Sequence, residues 1–475
     1  MRLLLNLVTA LDENEIAKLA ALNLRGKQLA VMELVLSKRP TGDEPTPEEV
    51  SALQLSDSHL YEISSVVLSK CHHILVPEGG LKLLEFLTYK NLILQFKQEL
   101  RRQRKHIATK KGKQAEEFYL TGFELLNRFT YNLVDHDLLE EYGKLYLAAK
   151  ADATAEDALA IKARKLQIKQ AGILSDGKNF TLEQKELFAE LTEIERTARL
   201  SNHAYLCYAT YSALAWHWQH LGGSPEKGLS YLQLSLPYAA KLQGFPFRDA
   251  ALEMKLRLAD AHAALGEADL ACEIFEKTYA SIRRDHPLWK RNYFLFRYLA
   301  ILIYVDKYAK AEKILTEHFE PLFKLRPTTA SATAASLFAI LFLLTGDFPN
   351  AKKYLDLGLQ LNTKSNFTLY NEVRNRYIEA AYYYLIGDWD YTLELSHRAM
   401  QYLRGKHLGL NKHIFGYNFK IIEASIKYYS KDIPFWHKLE EKFKVLTAPA
   451  EGLFGKLLEL IRDTPRRKPK PKPQV

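Results

Sequence analysis

The chain has 475 residues with 22 glycines, 17 prolines, 47% hydrophobic and 12% aromatic residues, and a formal charge of +10 at pH 7. So few helix breakers beside so much apolar mass exclude a disordered chain, and the length exceeds one compact domain. Three cysteines, Cys71, Cys207 and Cys272, lie far apart with no C-x-x-C, which excludes a disulfide framework and the usual zinc pattern.

From the N-terminus, "MRLLLNLVTALDENE" reads as a first helix, because its apolar run is broken by Asn6, meets acids at once and has no small-residue cleavage site. Residues 1–112 and 113–200 follow as two helical regions, with breaks at "SKRPTGDEPTPEE" (37–49) and "SDGKNF" (175–180). Between Lys97 and Lys113 stand eight Lys or Arg against Glu99, and the tail adds Arg466, Arg467, Lys468, Lys470 and Lys472. Positive charge confined to two short patches argues against a nucleic-acid binder, which spreads it over a folded face. Arg101, Arg102, Arg104 and Lys105 remain candidate phosphate contacts, although cations also suit the C-terminal end of a helix.

Residues 201–446 carry an internal repeat. "LGEADLACEIF" (265–275), "VDKYAKAEKIL" (305–315), "LTGDFPNAKKYL" (344–355) and "LIGDWDYTLELS" (385–396) share a turn followed by a helix. The turn anchors Gly266, Asp306, Gly346 and Gly387 stand 40, 40 and 41 residues apart, with Gly223 and Ser430 43 residues outside them. Seven residues before an anchor come Ala259, Ala339 and Ala380, and five after it Ala271, Ala311 and Ala351. Small side chains at those points predict close crossing of two helices, and Ser224, Asp347 and Asp388 are placed to cap the second one. A helix over 447–464 is expected to cap the array, with 465–475 a disordered basic tail.

The small residue, turn glycine, second alanine and following large apolar residue (Phe275, Leu315, Leu355) resemble the tetratricopeptide repeat. The period departs from that family's ~34 residues, being 40–43 here. The resemblance implies an all-α, right-handed solenoid of antiparallel hairpins whose first helices line a concave groove. By its register the groove positions are His217, His220, Tyr293, Phe296, Tyr304, Arg374, Tyr377 and Tyr384, although aromatics on a helix also serve as core.

Catalytic and metal motifs do not assemble. "GGSPEKGLS" (222–230) imitates a phosphate-binding loop, but helix precedes it and Leu229 stands where Lys is required. His217 and His220 share a helix face without a third ligand, adjacent His72 and His73 face apart, and Asp137 with Glu140 reads as a capping box. The expectation is a cytoplasmic, non-enzymatic scaffold that binds a protein or peptide without cofactor or metal, with self-association through the solenoid ends also open. A stand-alone ligand- or peptide-sensing regulator is second, and a nucleic-acid-associated protein using the basic segment 97–113 and the tail third. "LFAILFLL" (337–344) is far too short to span a membrane, which needs ~20 residues.

Overall fold

Sparse breakers and well-placed caps make nearly every described residue helical in the computed structural model. The structure describes residues 1–464 except 12, 40–42, 91, 108–111, 128–134, 177–179, 222–223, 282–287, 320–328, 364–368, 405–409 and 428–451. The anchors Gly223 and Ser430, and the basic tail, lie outside the described residues.

The first part contains α1 (Arg2–Ala10), α2 (Glu13–Leu19), α3 (Lys27–Lys38), α4 (Pro47–Ser51), α5 (Asp57–Leu75), α6 (Gly80–Tyr89) and α7 (Ile93–Ile107). Next come α8 (Lys113–Leu126), α9 (His136–Ala149), α10 (Ala155–Asp176) and α11 (Phe180–Leu200). The repeat region supplies α12 (Ala204–His220), α13 (Pro225–Lys241), α14 (Ala250–Ala264), α15 (Ala268–Ala280), α16 (Leu288–Tyr304) and α17 (Tyr308–Ile314). It continues through α18 (Thr329–Leu344), α19 (Phe348–Thr363), α20 (Leu369–Ile386), α21 (Trp389–Arg404) and α22 (Leu410–Lys427), and the last described helix is α23 (Gly452–Asp463).

Packing is sequential and pairwise, as in a helical repeat array. The hairpins α12–α13, α14–α15, α16–α17, α18–α19 and α20–α21 each close on themselves, and each second helix packs on the next first helix. The first helices also touch in succession, α14 with α16, then α18, α20 and α22, and α22 returns to touch α10.

All four described anchors close their first helix with a left-handed residue: Gly266 at φ +79°, Asp306 at +62°, Gly346 at +77° and Gly387 at +88°. The same pair of bonds recurs at each. Gly266 N–H donates to Ala263 C=O at 3.0 Å and Glu267 N–H to His262 C=O at 2.9 Å, satisfying carbonyls that the helix end leaves without partners. The expected caps are also formed, with Asp347 accepting from Asn350 N–H at 3.2 Å and Asp388 from Tyr391 N–H at 3.3 Å.

The six alanines placed by spacing are all buried, at 0 or 1% exposure, and Thr392 fills the equivalent point in the fourth repeat. Gly228 does so in the first hairpin, where an added Cβ would lie 2.6 Å from Gln219 Cγ. From Ser224 on, the phosphate-loop imitation is therefore the start of α13, capped by Ser224 as it accepts from Lys227 N–H. One capping assignment changes. Asp135, not Asp137, caps α9, accepting from Leu138 N–H at 3.0 Å while also pairing with Lys97.

The apolar interior forms two clusters, one spanning Leu4 to Ala261 and the other Leu256 to Ile461. Helix α14 belongs to both, giving Met254, Leu258 and Ala261 to the first and Leu256, Ala259 and Ala263 to the second. Every residue from Ala334 to Leu343 in α18 is buried, so its continuous apolar run is explained by neighbours on all sides. Among the described residues no helix is long and apolar enough to cross a membrane.

Candidate functional site

The C-terminal helix does not pack on one terminal hairpin. α23 contacts α16, α18, α20 and α22, the first helices of four successive repeats. Two of its side chains, Leu457 and Ile461, are fully buried against them. They stand four residues apart and therefore on one helix face.

Polar contacts fix both ends of this seat. Near its start, Lys456 Nζ donates to the Asp306 carboxylate and lies 5.6 Å from the centre of the Tyr304 ring. Burial pushes the Asp306 carboxyl up, but bonds from Lys456 and Tyr308 outweigh it and hold the group below the usual carboxylate range. The Tyr304 phenol is pushed up by burial, with the charge of Glu459 on α23 adding to the effect. At the far end, the Tyr384 hydroxyl donates to Thr464 C=O at 3.2 Å, a carbonyl that the end of the helix leaves open.

Two of the residues assigned to a groove, Tyr304 and Tyr384, thus meet a helix, and that helix belongs to the same chain. Others lie elsewhere. Tyr377 is fully buried with its ring edge-on to Phe419, and His217 is buried with Phe188 stacked on it at 4.4 Å and Gln170 bonded to Nδ1 at 3.1 Å. His220 is half-buried against Trp216, and burial takes both histidines down to about 4, aided at His220 by Arg257. Phe296 is half-buried on Phe319, and Arg374 donates to Ser336 Oγ at 3.3 Å. Tyr293 lies in α16, and its side chain is outside the described residues.

The basic segment divides in two. Arg102 is bonded bidentately to Glu99, and Arg104 pairs with Glu141, whereas exposed Arg101 and Lys105 have no acid at ion-pair distance among the described residues. Lys110 and Lys111 lie outside the described residues.

Three polar features were missed because their members are distant in sequence. Arg164 forms a bidentate pair with buried Glu124, whose Oε1 also accepts from Tyr205 OH at 2.6 Å. Half-buried Arg257 donates to Ser212 Oγ at 2.9 Å and Gln219 Oε1 at 3.3 Å, with no carboxylate at ion-pair distance among the described residues. An open cleft of about 570 Å³ lies beside Glu117, Gly244, Phe245, Phe247 and Arg248. Its charges are engaged, Glu117 by Phe245 N–H and Arg248 by Glu85. Among the described residues no three His, Cys, Asp or Glu side chains converge as a metal site would require.

No protein-family model matches the chain, and a search of curated proteins finds no match to it.

Proposed function

We propose that the chain is a non-enzymatic interaction protein, a tetratricopeptide-like solenoid that binds an amphipathic helix of a partner protein across the first helices of its C-terminal repeats. The observation that supports this is the seat of α23 itself, where an amphipathic helix rests on four first helices, with Leu457 and Ile461 buried and Lys456 in a charge contact. Such helix-in-groove recognition is a common mode of peptide binding. A protein partner is favoured over nucleic acid because Arg102 and Arg104 are already committed to acids of this chain. Three buried cysteines without disulfides suit a reducing compartment such as the cytoplasm.

A photo-crosslinking amino acid at position 304 of the full chain tests the function in extract. The expected product joins position 304 to an amphipathic helix of a second protein, while the same probe at exposed position 61 does not. If both positions capture the same proteins, or 304 captures none, the proposal fails.

A further inference from the structure

Granted the helix-binding function proposed above, we infer that α23 is a stand-in for the partner's helix. The site takes a helix with a basic residue followed by apolar side chains one and five positions later, and the chain's own Lys456–Leu457–Ile461 occupies it in competition. The partner is thereby specified by chemistry: a short amphipathic helix, basic near its start, whose terminal carbonyl meets Tyr384.

Three observations converge. A helix of 12 residues is too short to persist unaided in water. Its persistence depends on the seat, and a better-fitting helix can replace it. The turn that meets Lys456 is also the odd one of the four. Where the others use glycine, position 306 carries Asp in the left-handed conformation, so a backbone preference is sacrificed where a carboxylate can face a basic residue. Finally, the seat is assembled from α16, α18, α20 and α22 together, so its occupant reads a composite surface that no single repeat offers.

The probe is a fluorescent peptide with the sequence of residues 452–464, GLFGKLLELIRDT. It is titrated against the full chain, a full-length Leu457→Asp/Ile461→Asp variant and a full-length Lys456→Glu variant. Competition predicts that the Leu457→Asp/Ile461→Asp variant binds the peptide at least about tenfold more tightly, and the Lys456→Glu variant about threefold more tightly, than the unaltered chain, whose competent state is only fractionally populated. A peptide carrying Glu in place of the lysine should bind the variants about threefold more weakly, as loss of a half-exposed ion pair implies. Equal binding to all three chains would overturn the competition and leave helix binding standing. No binding to variants that still melt cooperatively would overturn both. Loss of cooperative melting in both variants would make α23 an integral structural element and overturn the inference.

Discussion

Lys456 on the C-terminal helix donates to the carboxylate of Asp306, a residue held at φ +62° where the three equivalent turns carry glycine. The left-handed conformation costs a non-glycine residue roughly 1–2 kcal/mol, less for Asp, whereas a half-exposed ion pair returns ~0–1 kcal/mol. The two terms nearly cancel in stability but act on different elements.

Asp306→Gly should therefore leave global stability within about 1 kcal/mol of the starting chain while loosening α23. Urea unfolding and amide hydrogen exchange over residues 453–463 separate the effects. Unchanged protection of α23 would show that the pair does not hold it.

The alanines at the helix crossings have no room to grow. Ala311→Leu or Ala339→Leu should cost about 1–3 kcal/mol by overpacking, measured by urea midpoint. Leu270→Ala, at a site 41% exposed, should stay within roughly 0.5 kcal/mol. A tolerated leucine at 311 would mean that the hairpins can separate without penalty.

The two half-buried arginines should respond oppositely. Burial works against the Arg164 cation, but Glu124 more than offsets it, and Arg164→Met leaves that buried carboxylate without its cation, held only by the Tyr205 hydroxyl. The expected loss is about 3–5 kcal/mol. Arg257 has only neutral hydrogen-bond acceptors, and burial pulls its guanidinium down to about 10 against the opposing charge of Glu253. Arg257→Met strands no carboxylate and should be neutral or stabilising, by up to roughly 2 kcal/mol. Thermal melts of both variants decide it.

His217 gives the chain a pH dependence of definite sign. Burial lowers its imidazole to about 4 from an ordinary 6.5, so the folded chain holds it neutral while the unfolded chain takes up a proton as pH falls through 6.5. Its contribution is complete above that pH and is lost on the way down to about 4, amounting to roughly 2 kcal/mol by pH 5. His217→Gln should reduce the fall in stability between pH 7 and 5 by about 2 kcal/mol, leaving the like contribution of His220, as read from urea midpoints. A slope that is unaltered would assign it to other groups.

What the sequence disclosed was what neighbouring residues decide among themselves. Gly266, Gly346 and Gly387 reveal a left-handed helix end, and alanines at fixed offsets reveal a crossing, because both requirements act within about ten residues of chain. The site was legible only in part. First helices here are packed on more than one side, so an aromatic such as Tyr377 is needed for the interior as readily as for an outer face. The α23 seat joins position 306 to 456, and the Glu124–Arg164–Tyr205 cluster spans three helices, relationships that no local pattern encodes.

Helix α14 carries a consequence for how the molecule comes apart. Its 15 residues serve two apolar clusters from opposite faces, Met254 and Leu258 toward one, Leu256 and Ala259 toward the other. Where helices pack pairwise in sequence, the extent of cooperative melting depends on the coupling between neighbours. A helix shared in this way, together with the contact of α22 with α10, ties the fate of the two halves together, so damage to α14 should broaden one sharp denaturation transition more than equal damage at either terminus.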